Sequence, residues 1–97
     1  MDAYGLGLAY RTAGQCEEAL LPLKKASILS PDFVPVHFNL AGCYAELNRL
    51  TEARRAVVEI LRINPNASLE NQRKFMPYKD PTVLERNLAA LRKAGLK

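Results

Sequence analysis

Two cysteines, one histidine and a pair of adjacent glutamates are the residues of this chain best suited to act on a substrate or hold an ion. Cys16 and Cys43 follow no CxxC or CxxH spacing, the spacing expected of zinc ligands or a redox motif. Each falls inside a helical pattern, and both read as reduced thiols in packed positions, which fits a reducing, cytoplasmic compartment. His37 is the single histidine and reads as a packing residue between helices. Glu17 and Glu18 could pair as acid and base, but both stand in the first turn of a helix, where carboxylates offset the helix dipole. Ser27, Ser30 and Ser68 lie in no nucleophile motif. Gly5-Leu6-Gly7 lacks the third glycine and the preceding strand of a dinucleotide fingerprint. The sequence therefore predicts no catalytic residue, no metal site and no cofactor.

The elements around these residues are helices. A chain of 97 residues, 48% apolar and 25% charged, reads as one small globular domain or a fragment of a larger one. It has no apolar run of membrane-spanning length, and MDAYGLGLAYR lacks the basic lead and long apolar block of a signal peptide. Leu6, Ala9, Tyr10 and Ala13 recur at i, i+3, i+4 and i+7, which predicts an apolar stripe on a helix from about Ala3 to Ala13. Gly14 stops it and forces the next helix, about Cys16 to Leu29, to fold back. Ala19, Leu23 and Ala26 form that helix's inner face. Pro22 inside it predicts a bend or a carbonyl left to water. Pro31 closes the unit.

The plan then recurs. Sliding the chain by 34 positions sets Leu6 on Leu40, Tyr10 on Tyr44, Glu18 on Glu52, Ala19 on Ala53 and Pro31 on Pro65. Pro35 opens the third helix at its first turn, and Leu40, Cys43, Tyr44 and Leu47 carry its stripe. Asn48 takes the turn position of Gly14, because asparagine tolerates the left-handed conformation. A fourth helix from about Leu50 to Ile63 turns Ala53, Val57 and Ile60 inward. After Ala67 the repeat decays. Ser68 is an N-cap for a short helix to about Met76, which Pro77 stops. Tyr78-Lys79 lead to Asp80-Pro81, a start signal for a last helix to about Ala94, ended by Gly95. Leu84, Leu88 and Leu91 share one face of it. These leucines are expected to cover the exposed side of the Leu50–Ile63 helix and its neighbour, as a cap without which the fold fails.

These residues resemble the tetratricopeptide repeat, whose period is 34. The first unit supplies Leu6, Gly7, Tyr10, Ala19, Leu23, Ala26 and Pro31 to its pattern, with Ala3 where a large residue is usual. The second supplies His37, Leu40, Ala41, Tyr44, Ala53, Val57 and Pro65, with Ile60 where alanine is usual. The resemblance implies an all-α fold: antiparallel helix-turn-helix repeats in a short right-handed α-solenoid, with a C-terminal capping helix. Residues 1–33 and 34–67 would be the two units, and 68–97 the degenerate helix and cap.

By the same resemblance, one side of each first helix lines a concave groove for a protein or peptide partner. Carried over, the groove residues are Met1, Tyr4, Leu8, Arg11 and Thr12, then Pro35, Phe38, Asn39, Gly42, Ala45 and Glu46. Tyr4 and Phe38 are its expected aromatic anchors. The tail PYKDPTVLERNLAALRKAGLK resembles the end of helical-repeat regions behind bacterial class III adenylate or guanylate cyclase domains. That resemblance implies a fragment of a larger signalling protein. It also supplies the alternative reading, a structural or dimerising extension of such an enzyme with no ligand of its own. The net charge of +4 sits in residues 68–97, where seven basic side chains face three acidic ones. Spread over a tail with interspersed glutamates, it reads as a solvated face and not a nucleic-acid site.

Overall fold

The computed structural model describes residues 2–75 and 81–97, and the side chains of these except Phe75 and Val83. The described residues form six helices: α1 (Ala3–Thr12), α2 (Cys16–Leu29), α3 (Val34–Glu46), α4 (Leu50–Ile63), α5 (Leu69–Phe75) and α6 (Pro81–Ala94). The expected Pro77 stop, the Tyr78-Lys79 link and the Asp80 cap lie outside the described residues, as does Met1.

The 34-residue period holds down to single hydrogen bonds. After α1, the amide of Gln15 donates to the Tyr10 carbonyl at 2.8 Å and that of Gly14 to the Arg11 carbonyl at 3.0 Å. After α3, Arg49 donates to Tyr44 at 2.8 Å and Asn48 to Ala45 at 3.0 Å. Both are Schellman closures, which satisfy the last carbonyls of a helix and demand a left-handed residue. Gly14 has φ +79° and Asn48 has φ +62°. Asn48→Ala should cost about 1 kcal/mol, because a Cβ without a local hydrogen-bonding group is strained there. Asn48→Gly should be neutral or slightly stabilising, and the two melting temperatures test this. Leu96 and Gly95 close α6 in the same way, on Leu91 and Arg92.

Within each unit small residues set the spacing. Ala19 and Leu23 are fully buried on α2, as are Ala53 and Ile60 on α4, so the expected inner faces are the observed ones. Pro22 stands inside an uninterrupted α2. Its missing N–H leaves the carbonyl of Glu18 without a helical donor, and Glu18 is exposed to water. His37 is buried and its Nε2 lies 2.7 Å from the Pro31 carbonyl. It ties α3 to the turn before it, as its packing role predicts. Ser68 caps α5 by accepting from the Asn71 amide at 3.1 Å.

One expectation fails and one holds only in part, for related reasons. Of the predicted α1 stripe, Leu6, Ala9 and Ala13 are exposed and Tyr10 is half-buried against the core. Its counterparts Leu40 and Cys43 on α3 are buried, because α2 lies against α3. What α1 buries is the opposite side, Gly7 and Arg11. The second concerns the cap. α6 does bury Leu88, Ala90, Leu91 and Ala94, while Leu84 is half-buried. It packs chiefly along α3 and only lightly on α4 and α5. The reason is chemical. Where α2 carries buried Leu20, α4 carries exposed Arg54, with Arg55 beside it. A charged face gives an apolar helix little to cover. α3 instead is enclosed along its length, with every residue from Val36 to Ala45 buried.

Candidate interaction site

The groove side of the first helices is the surface that the sequence singles out, and α6 divides it. On α1, Tyr4 and Leu8 are half-buried and Thr12 is exposed. Arg11 is 2% exposed. On α3, Pro35 is half-buried, Phe38, Asn39, Gly42 and Ala45 are buried, and Glu46 is partly exposed. α6 packs along α3, while the Gly42 position of α3 is filled by Arg11 of α1. An ion pair from Arg86 on α6 to Glu46, at 3.6 Å, marks the contact.

Polar groups lace α1 to α3. Arg11 donates through Nε to the Asn39 carbonyl at 3.3 Å. Its guanidinium occupies the space where a side chain at residue 42 would begin, so Gly42 is needed for the close approach. Asn39 donates to the Pro35 carbonyl at 2.8 Å and to the Tyr4 hydroxyl at 3.4 Å. Glu46 accepts from Cys16 Sγ at 2.7 Å. Interaction with the Cys43 thiol, burial and the Glu46 carboxylate all push Cys16 above the usual thiol range. Among the described residues no group of histidine, cysteine and carboxylate side chains could hold a metal ion.

The open part of the surface lies at the other end of α1. A hollow of about 350 Å³ is lined by Asp2, Ala3, Tyr4, Ala26, Leu29, Ser30, Phe33 and Val36. The rings of Tyr4 and Phe33 meet edge to face, with centroids 5.0 Å apart and planes at 82°. Leu29 and Phe33 beside it are 70% and 43% exposed. Of the predicted groove residues that the structure describes, only Tyr4 lines this hollow. Sequence reasoning missed Leu29 and Phe33 because both stand at the unit junction and outside the groove positions. The signal was there in two large apolar residues flanking the polar Ser30-Pro31-Asp32 turn.

Arg49 and Lys24 each lie over the Tyr44 ring, with cation-to-centroid distances of 5.2 and 5.8 Å. The tail's charges are partly paired: Arg73 forks onto Glu85 and Lys74 lies 3.8 Å from Glu70. No described helix is long and apolar enough to cross a membrane.

Compared with known proteins, residues 10–71 match the profile of the tetratricopeptide repeat. No curated protein and no solved structure matches the chain. The match takes in α2, α3, α4 and the start of α5, and ends before the tail whose sequence suggested a cyclase-associated region. Tetratricopeptide repeats are in general protein-binding modules, and are typically non-catalytic. With its two hairpins, 34-residue period and matched profile over most of its length, this chain belongs to the tetratricopeptide-repeat family.

Proposed function

We propose that this chain binds a protein partner through the hollow beside Tyr4, and not along the whole length of the groove. The observation that carries the reading is the position of α6. With α1 and α6 both packed on α3, Phe38, Gly42 and Ala45 are already buried within the chain. The hollow between Tyr4, Leu29 and Phe33 is apolar, concave and open. Its size suits one large apolar side chain of a peptide, and Thr12 and Leu8 continue the surface along α1. Aromatic walls give much contact area for few rotors.

A random peptide library panned on the chain should enrich sequences with a leucine or aromatic anchor. Amide shifts on adding a selected peptide should concentrate at Tyr4, Leu29 and Phe33, and Leu29→Glu should abolish binding without changing the melting temperature. Shifts confined to α5 and α6 would overturn the reading. A second reading is self-association, as the structural extension of a signalling enzyme of the cyclase type. The exposed stripe Leu6, Ala9 and Ala13 favours it, since the matching stripe on α3 is covered by a helix. Light scattering on the same sample separates the two. A concentration-dependent dimer that Leu6→Glu dissociates supports the second, and a peptide-binding monomer supports the first.

A further inference from the structure

The hollow beside Tyr4 has a sign as well as a shape. Asp2 is the one charged residue in its lining, and it is exposed. Its Oδ1 accepts from the Gly5 amide at 2.6 Å and so caps α1. No ion pair among the described residues uses its charge. Asp32, which precedes Phe33 in the chain, differs in this respect. Arg62 holds it at 3.0 Å and holds Glu59 at 2.8 Å. The start of α1 favours an anion, and Asp2 already meets that demand.

The end of α2 forms a second wall, through Ala26, Leu29 and Ser30. The last carbonyls of a helix have no helical donor and carry the negative end of its dipole. The Ser30 amide takes the Ala26 carbonyl, which leaves those of the final turn beyond it. α2 has no basic residue in its last turn, whereas α4 has Arg62 there and α6 has Arg92 and Lys93. Lys25, four residues before Leu29, does not line the hollow. A carboxylate and an uncompensated helix end thus meet at one apolar hollow. The chain's net charge of +4 would by itself favour acidic partners. The hollow reverses that preference locally.

We propose that the hollow selects a basic apolar peptide. One large apolar side chain fills the space beside Leu29 and Phe33, and a lysine or arginine next to it meets Asp2 and the end of α2. The proposal rests on the hollow being the binding site and adds the charge of the partner. A lysine or arginine stem covers apolar wall while its cation stays at the wet rim, where Asp2 stands. The pair is exposed, so it adds only modestly to affinity and is screened by salt. Its larger effect is to reject acidic partners, for which the same two groups are repulsive.

The test pans a random peptide library on the whole chain at about 0.15 M salt. It takes the peptides that shift the Tyr4, Leu29 and Phe33 amides. Their apolar anchors should be flanked by lysine or arginine, and not by aspartate or glutamate. In fluorescence anisotropy, replacing that basic residue by glutamine should weaken the best peptide about threefold to fivefold, and glutamate should weaken it further. The differences should shrink at roughly 1 M salt. Asp2→Ser keeps an N-cap and removes the charge. It should erase most of the preference for the basic peptide and leave the affinity of the glutamine peptide unchanged. Ser30→Lys, at the exposed end of α2, should move the preference toward the glutamate peptide, with the fold intact by circular dichroism. Peptides that bind the hollow with no basic bias, or a preference that neither variant alters, would overturn the proposal and leave the hollow as the site. A library that yields no binder, or binders that shift only other amides, would overturn both the hollow and the proposal.

Discussion

Leu91→Ala should lower the melting temperature by about 10 °C or more. Leu91 is 1% exposed, with Leu88 and Ala94 buried beside it on α6. That helix rests on α3, the most enclosed element of the chain. Removing a packed leucine side chain loses its transfer free energy and leaves a cavity, together about 2–5 kcal/mol. A domain of this size has only about 5–15 kcal/mol to lose. A chain stopped after Lys79 loses the whole helix and uncovers Phe38 and Ala45, so it should unfold or aggregate. Ala89→Ser, at an exposed position of the same helix, should melt within a degree or two of the parent. Calorimetry on the four proteins checks this. A Leu91→Ala chain that melts with the parent would mean that α6 lies on α3 without stabilising it.

Gly7→Val should be comparably damaging, from the opposite cause. A Cβ at residue 7 would lie 2.6 Å from Leu23 Cγ, 2.7 Å from Leu23 Cδ2 and 3.3 Å from the Leu23 backbone nitrogen. Leu23 is fully buried, so its side chain has no empty space to enter, and its backbone is held in α2. Forcing extra atoms into such a contact costs about 1–3 kcal/mol. For alanine, a helix-propensity gain of about 1 kcal/mol offsets part of that. For valine the β-branch removes the gain and adds volume. The diagnostic is a pair: Gly7→Val with Leu23→Ala should be more stable than the sum of the two single losses, because the cavity of one admits the side chain of the other. Additive losses, read from urea unfolding, would refute the contact.

Much of this molecule is legible one segment at a time. The ranges Cys16–Leu29, Leu50–Ile63 and Pro81–Ala94 follow from periodicity and from stop residues, and the observed helices keep them. The turn at Gly14 and its counterpart at Asn48 follow from backbone sterics, which act within a few residues of the turn. The period of 34 follows from the sequence repeating itself. It implies two hairpins whatever surrounds them, and the matched profile over residues 10–71 agrees.

The readings that failed depended on a neighbour far along the chain. Periodicity places Leu6, Ala9 and Ala13 on one face of α1 and Leu40, Cys43 and Leu47 on the matching face of α3. It is silent on the fact that α2 covers only the latter. The same holds for α6, whose leucines share a face that could rest on α4 or on α3. α6 packs mainly on the second, and Arg54 on the first is exposed. Arg11, carried over as a groove residue, is buried because α3 presents a glycine where its guanidinium must sit. Cys16 reaches the Glu46 carboxylate because α2 packs on α3, a contact that no spacing rule encodes. Helix position and turn chemistry are set by forces that act over a few residues. Burial and polar partners are set by whichever element packs alongside, and that is a property of the assembled chain.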